Sequence, residues 1–510
     1  MNSRLDLNNE YALYFQENVI SEEVMSLIPS SIARQYNLFP FKLEDENLYI
    51  AMEDPDNIVA IDHIARITGR KVIACPANGY IVAHHINKLY GNEPIERALE
   101  DFRREMRISE SQSTWLGSPS DTIASAPIVR LVDSLIVQAV EQRASDIHIE
   151  PMEDSMRIRF RLDGFLQRIA SLPLDVHDPV ISRIKVLGNM DIAEKRLPQD
   201  GRSQFQIPGK NIDIRISIMP TIYGEKCVLR LLDHDYFLFP KEALGFTDDN
   251  LRHFDRFLGL KRGIILITGP TGSGKSTTLY TMLNEINNET DNIITVEDPV
   301  ECKIPGINQI QINSKAGMTF ANSLRSVLRQ DPDVIMIGEI RDNETAQIAI
   351  RAAITGHLVL STIHTHDAIG AIRRLLDMGI ENYLLSDALM GVISQRLIRK
   401  ACPHCRQAYT PSREQLGTIG ASVKEGNKYY RKVGCVRCGF TGYKGRTAIH
   451  EVLVVDKGIR RLIQENATSD DIHNYAIQNG LEPLNYACID LFEKGITTLE
   501  ETIRVLQTFE

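Results

Sequence analysis

Apolar positions recur along the chain in two periods, and the switches between them outline its elements. Ile128, Leu131, Val132, Leu135, Ile136 and Ala139 fall at helical spacing behind Pro127, a residue suited to a first helical turn. Met156 to Leu162 instead alternates strictly, which predicts a strand with Arg157, Arg159 and Arg161 on one face. Asp163-Gly164 follows as a hairpin turn. Ile212, Ile214, Ile216 and Ile218 alternate with Asp213, Arg215 and Ser217, and Arg230 interrupts the apolar run Val228 to Leu232. These runs predict an α/β domain whose sheet turns an apolar face to its core and an arginine-bearing face outward. A solvated charged face is the plain expectation for Arg157 and Arg159. The sharper alternative is that some arginines reach the phosphates of a nucleotide held elsewhere.

Before residue 93 the patterns are shorter. Leu43 to Met52 reads as a hairpin, Asp54 to Asn57 as a turn with a helix N-cap, and Ile58 to Ile67 and Ile81 to Leu89 as amphipathic helices. This predicts a small α/β domain over residues 1–92, with no catalytic constellation and hence a docking role. Residues 93–122 turn charged and then Ser-rich, a linker composition that carries the only tryptophan, Trp115. The arginine-bearing domain is placed at 123–237 and a third at 240–510.

The third domain is organised around Gly269-Pro270-Thr271-Gly272-Ser273-Gly274-Lys275-Ser276-Thr277, which fits G-x-x-x-x-G-K-[ST]. Gly263 to Thr268 before it reads as a buried strand, and Thr277 to Leu283 after it as a helix. Strand, glycine loop and helix is the geometry that turns backbone N–H groups onto phosphates, with the helix dipole assisting. Lys275 is expected on the β- and γ-phosphates, and the Ser276 hydroxyl on Mg²⁺. Asn292 to Val296 predicts a strand ending in Glu297 and Asp298, and Asp333 to Ile337 one ending in Gly338-Glu339, where carboxylates meet the nucleotide edge of a parallel sheet. Glu339 is the candidate to polarise the attacking water, with Glu297 or Asp298 sharing contact to the metal. A further run, His357 to Thr362, leads to His364; a histidine at that edge can sense the γ-phosphate by hydrogen bonding, although a lone histidine is more often structural. Arg325 and Arg329 lie four apart on one helix face.

Composition narrows the setting. Net charge is −10, which argues against a broad nucleic-acid surface. No apolar run approaches the roughly 20 residues of a membrane span, and the N-terminus has no signal core, so a cytosolic chain is expected. Of eight cysteines, Cys402, Cys405, Cys435 and Cys438 form two C-x₂-C pairs separated by 29 residues. That donor set suits a closed tetrahedral Zn²⁺ site, within a subdomain of about residues 397–445. Cys75, Cys227, Cys302 and Cys488 read as ordinary core or surface thiols.

Together these motifs resemble the secretion and pilus-assembly ATPases of the general secretion pathway protein E class. The resemblance covers residues 123–510. It rests on Ala144 to Glu150, Asp191 to Arg202, the Gly269 to Thr277 loop, Thr295 to Glu301, Arg329 to Asp342, Thr355 to Thr365 and the tetracysteine spacing. It implies a PAS-like second domain, a RecA-like ATPase core with an inserted zinc subdomain, and a Mg²⁺-dependent homohexamer that hydrolyses ATP. It places nucleotide contacts on Arg215, Arg230, Arg325 and Arg329 and gives roles to His357 and His364. The ring would sit peripherally on the cytoplasmic face of the inner membrane. There it would meet a membrane-anchored partner and a platform protein and drive assembly of a type II secretion pseudopilus or a type IV pilus. Residues 1–30 lack the Arg-Leu-Gly repeat that binds cyclic di-GMP in one branch of the family, so partner docking is expected there. The alternatives are a retraction motor, a conjugative-pilus motor and a nucleotide-gated scaffold without turnover.

Overall fold

A computed structural model describes residues 27–77, 126–207, 210–233, 239–420, 428–439 and 441–508, with a few further positions before residue 87. In the first domain α1 (Ser30–Tyr36) leads to a hairpin of β1 (Leu38–Glu44) and β2 (Asn47–Met52). Then come α2 (Ile58–Thr68) and β3 (Lys71–Pro76), parallel to β2. Asn57 caps α2 by accepting from the Ala60 N–H, and Gly69 ends it in the left-handed conformation. Phe39, Leu48, Ile50 and Ile64 form its core. Most of the helix expected over Ile81 to Leu89, and all of the linker with Trp115, lie outside the described residues.

The second domain sets α3 (Ala126–Glu141) and α4 (His177–Leu187) against an antiparallel sheet. Its strands are β4 (Asp146–Pro151), β5 (Ser155–Leu162), β6 (Phe165–Pro173), β7 (Gln199–Ile207), β8 (Lys210–Thr221) and β9 (Gly224–Asp233), in the order β6-β5-β4-β9-β8-β7. The alternation seen in sequence has its cause here. Ile147, Phe160, Ile214 and Leu229 pack under Leu131 and Leu135, while the other face stays polar. That polar face is not simply solvated. Arg157 and Arg159 bind Glu150, which is buried, at 3.1 and 2.7 Å, and Lys226 joins them at 3.1 Å. A carboxylate at 3% exposure is tolerated because several cations hold it, and they keep its pKa down at about 2 against the opposing effect of burial.

The third domain is a seven-stranded sheet in the order β12-β11-β13-β14-β10-β15-β18. The strands are β10 (Gly263–Thr268), β11 (Ile293–Glu297), β12 (Asn308–Gln311), β13 (Val334–Ile337), β14 (Leu358–Ile363), β15 (Leu389–Ala401) and β18 (Tyr443–Val454). All neighbours pair in parallel except β15 and β18. Among its helices are α5 (Asp248–Leu258), α6 (Lys275–Ile286), α7 (Phe320–Val327), α8 (Asn343–Ile354), α9 (Ala368–Asp377) and α10 (Asn382–Ala388). Separate apolar clusters cover the two faces, which is why β10, β13 and β14 are buried at every residue and read as unbroken apolar runs. Between β15 and β18 the chain leaves the sheet for the tetracysteine excursion, which holds α11 (Arg413–Gly417) and the short pair β16 (Gln407–Tyr409) and β17 (Tyr429–Arg431). The tail is helical: α12 (Lys457–Gln464), α13 (Ser469–Gln478), α14 (Leu484–Glu493) and α15 (Leu499–Leu506).

Among the described residues, the second and third domains touch at two places. Asp163, at the β5–β6 tip, accepts from the Gly445 N–H at 3.0 Å and pairs with Arg446 at 3.5 Å. Beside it the Phe165 ring lies 4.0 Å from the Arg399 guanidinium, itself anchored on fully buried Glu501. The other contact is an ion pair between Arg215 and Glu301 at 2.6 Å.

Candidate active site

The phosphate loop leaves β10 at its carboxyl end, at the centre of the sheet, where parallel α/β sheets bind ligands. α6 starts at Lys275, two residues earlier than the pattern suggests, because Gly274 already makes the turn at φ +90°. Gly272 adopts φ +78°, and a Cβ built there meets nothing within 4 Å, so the loop's mouth is open. Lys275 donates to the carbonyls of Gly269 and Pro270 at 2.8 and 3.0 Å. Burial pulls its pKa down to about 8; Glu339 opposes this and Arg396 adds to it. Ser273 Oγ is buried with no hydrogen-bond partner. An open cradle of N–H groups, a part-buried lysine with its pKa drawn down and an orphaned hydroxyl fit a bound phosphate chain, which would supply the missing acceptors.

Glu339 lies just beyond β13 and is 15% exposed. It pairs with Arg341 and sits 3.6 Å from His364 Nε2. Partial burial, then Lys275, hold His364 below the usual imidazole range, so it is neutral at pH 7. Lys275, Glu339 and His364 thus share one field at the carboxyl edge, where Asp298 is exposed and Ser276 opens α6. Ser276 and the exposed Asp298 are donors of the type that holds a divalent cation through oxygen.

Other expected residues are placed differently. Glu297 is 3% exposed and aims into the interior. It accepts from the Tyr280 hydroxyl, from Thr295 Oγ1 at 2.6 Å and from Gln309 Nε2 at 3.2 Å. Burial raises its pKa against these hydrogen bonds. His357 precedes β14, at the opposite end of the strand from the loop, roughly 17 Å away at about 3.3 Å per residue. There its Nδ1 lies 2.9 Å from the Ala352 carbonyl at the end of α8, so it does not join this chain's phosphate site. Arg325 and Arg329 are exposed on and after α7; Arg325 pairs with Glu344 at 2.6 Å, and Arg329 donates to the Arg325 carbonyl at 2.9 Å. Arg230 pairs with Asp146 at 3.0 Å.

Two loop-supporting residues escaped the sequence reading. Gln395 Nε2 donates to the Ser273 carbonyl at 2.7 Å, and its Oε1 accepts from Thr278 at 2.8 Å. Arg396 donates to the His366 carbonyl at 2.7 Å, and a Cβ on Gly269 would lie 3.2 Å from its guanidinium. The available signal was the polar stretch Ser394-Gln395-Arg396 inside the apolar run Leu389 to Ile398.

The four expected cysteines converge. Their sulfurs lie within 4.8 Å of one another. The Cys402–Cys435 and Cys405–Cys438 separations are 3.8 Å, and Cys435–Cys438 is 3.7 Å. A tetrahedral zinc with Zn–S of 2.3 Å requires sulfurs about 3.8 Å apart, so the residues fit the ion. N–H groups of Gly434 and Cys435 donate to Cys405 and Cys438 sulfurs at 3.3 and 3.2 Å, an arrangement that favours thiolate. Cys75, Cys227, Cys302 and Cys488 are buried core thiols.

This fold and loop define a phosphate-loop ATPase built on a parallel sheet. A family profile described as Type II/IV secretion system protein matches residues 121–504, and one described as MshEN domain matches residues 12–96. A Type IV pilus assembly ATPase PilB from Thermus thermophilus is 44% identical over 94% of this chain and 54% of that protein. The Type II secretion system protein E of Dickeya dadantii is 42% identical over 96% of this chain and 98% of its own length. Among solved structures, the pilus retraction motor PilT with bound ADP is 29% identical at a TM-score of 0.50, covering 73% of this chain and 96% of that one. The ATPase DotB of Legionella pneumophila, 21% identical at a TM-score of 0.55 over 74% of this chain and 95% of that one, shares the fold. The chain belongs to the Type II/IV secretion system protein family and is an ATPase of the secretion and pilus-assembly class.

Proposed function

We propose that this chain works as a homohexamer at the cytoplasmic face of the inner membrane, hydrolysing ATP to assemble a pseudopilus or pilus. The observation that carries the catalytic part is the juxtaposition of Lys275, Glu339 and His364 at the carboxyl edge of the sheet, beside an open glycine cradle. Gly269 to Thr277 hold the phosphates of ATP. Ser276 and Asp298 would hold Mg²⁺, which would supply positive charge to neutralise the phosphates. Glu339 orients the attacking water, and neutral His364 donates a hydrogen bond to the γ-phosphate. Arg215 and Arg230 close on the phosphates as the second domain approaches, while exposed Arg325 and Arg329 serve the nucleotide of a neighbouring subunit. Cys402, Cys405, Cys435 and Cys438 carry a structural Zn²⁺. The first domain docks on a membrane-anchored partner, and closure of the ring's domains works on a platform protein. No helix among the described residues is long and apolar enough to cross a membrane, which is consistent with peripheral attachment.

The test is ATP turnover with size-exclusion mass analysis, with and without acidic phospholipid and the partner's cytoplasmic domain. Wild type is expected to form a ring and turn over ATP, and Lys275→Ala and Glu339→Gln to lose turnover at least a hundredfold. Wild type that binds ATP in every condition yet hydrolyses it no faster than Glu339→Gln would make the protein a nucleotide-gated scaffold.

A further inference from the structure

The polar face of the second domain's sheet holds a row of like charges that the strand register makes explicit. Arg202 on β7 lies directly opposite Arg215 on β8, and Arg215 opposite Arg230 on β9. Arg230 in turn faces Asp146 on β4, and Asp146 faces Arg161 on β5. Residues directly opposite in an antiparallel pair project to the same face, and like charges there repel. Three arginines abreast are therefore costly unless anions lie over them. For two of them the anion is visible. Arg230 and Arg161 share Asp146, at 3.0 and 3.3 Å, and Arg215 reaches across the domain gap to Glu301 at 2.6 Å. Arg202 is exposed, and its side chain makes no hydrogen bond or ion pair with any described residue.

The Arg215–Glu301 pair also shows where the row points. Glu301 stands four residues beyond the carboxyl end of β11, on the same sheet edge as the phosphate loop. The row thus faces its own chain's nucleotide edge. From Arg202 to Arg230 it spans two strand separations, roughly 10 Å at about 4.8 Å each, a length suited to a chain of phosphates. We infer that Arg202 is a further phosphate-contacting residue, which together with Arg215 clamps the nucleotide held in the phosphate loop of the same chain. Glu301 occupies Arg215 until the phosphates arrive, and Arg202 is the member of the row left vacant for them. A guanidinium suits this task because its planar fork takes two phosphate oxygens at once.

The inference rests on the ATPase reading, and the experiment separates the two. The full chain is assayed for ATP turnover as wild type, Arg202→Ala, Arg202→Gln, Arg202→Lys and Lys275→Ala, with melting temperature measured for each. Arg202→Ala and Arg202→Gln are expected to raise KM for ATP about tenfold with a melting temperature no lower than wild type in the absence of nucleotide, and Arg202→Lys to recover part of that loss. Rings mixed from Arg202→Ala and Lys275→Ala chains are expected to keep the raised KM of Arg202→Ala, because each active loop then lacks its own arginine. A KM within twofold of wild type in both neutral variants overturns the inference, whatever happens to kcat. Recovery in the mixed rings overturns the own-chain assignment. If wild type and Lys275→Ala are equally inert, the ATPase reading itself has failed.

Discussion

Replacing Tyr280 with Phe distinguishes an anchoring role for Glu297 from a metal-binding one. Tyr280 is 1% exposed on α6, the helix that begins at the phosphate loop. Its hydroxyl donates to Glu297 and accepts from the N–H groups of Glu301 and Cys302 at 3.0 and 3.4 Å. It therefore ties the loop helix to the turn that carries Asp298 and Glu301. The Phe ring fills the same space, so no cavity opens, but a buried carboxylate loses a donor and the Glu301 N–H loses its acceptor. A hydrogen bond to a charged group contributes ~1.5–3 kcal/mol, and a buried unsatisfied donor costs a further ~1–3 kcal/mol. Glu301 is only partly buried, so water relieves some of the second cost, leaving about 3 kcal/mol in all. In a domain of this size that lowers the melting temperature by roughly 6–12 °C.

The pH dependence has a definite sign. Burial sets Glu297's folded pKa above its unfolded value, so whatever stability its protonation contributes is present at low pH and lost as pH rises through the folded value. The Tyr280 hydrogen bond favours the charged form, and its loss raises the folded value further. The deficit of the variant should therefore grow from pH 5 to pH 8. Thermal and urea unfolding measure it, and a double-mutant cycle with Glu297→Gln isolates the pair, with an expected coupling of about 1.5 kcal/mol. A melting temperature within 2 °C of wild type at pH 8, with coupling below about 0.5 kcal/mol, would refute the anchor.

Three further outcomes are expected. KM for ATP should rise on the order of tenfold between pH 7 and pH 9: Lys275, with its pKa down at about 8, loses its charge as pH rises through that value, leaving about a tenth of the chains competent at pH 9. A pH-independent KM over that range would remove Lys275 from the phosphates. Metal analysis should return one zinc per chain in wild type and none in a variant with all four cysteines changed to Ser, which should also melt earlier; a folded, fully active quadruple variant sinks the zinc assignment. Glu501→Ala should cost about 3–5 kcal/mol because it strands Arg399 and Arg504, which both bind this fully buried carboxylate; unfolding by urea checks it, and a loss under 1 kcal/mol contradicts the reading.

Features decided within a few residues were legible in the chain. The phosphate loop needs only glycines that reach positive φ between a strand and a helix, and each C-x₂-C pair is a local turn. Strand alternation was legible because one face of the second domain's sheet packs on helices, and the third domain's unbroken apolar runs because both faces of its sheet are covered. Residue type alone could not separate Glu339 from Glu297, since both end apolar strands. Glu297 turns inward because Tyr280 and Gln309, from two other elements, offer it donors, whereas Glu339 faces Lys275.

What only the tertiary structure decided are the pairings between residues far apart in sequence. Arg157 and Arg159 stand on a sheet face that solvent would suit, but β4 puts buried Glu150 beneath them. His357 adjoins β14, the strand beside the loop's own, yet lies at its wrong end, a distinction that needs the strand's direction in the sheet. Gln395 supports Ser273 from 122 residues away, and Arg215 meets Glu301 from 86 residues away. The sequence by itself determined the nucleotide loop, the cysteine donors and the layering of the domains, because each follows from short-range backbone geometry or from which faces are apolar. Only the fold decided which carboxylates face the phosphate loop's lysine and which arginines are already neutralised, because a charge is tamed by whichever partner packing brings within a few ångströms.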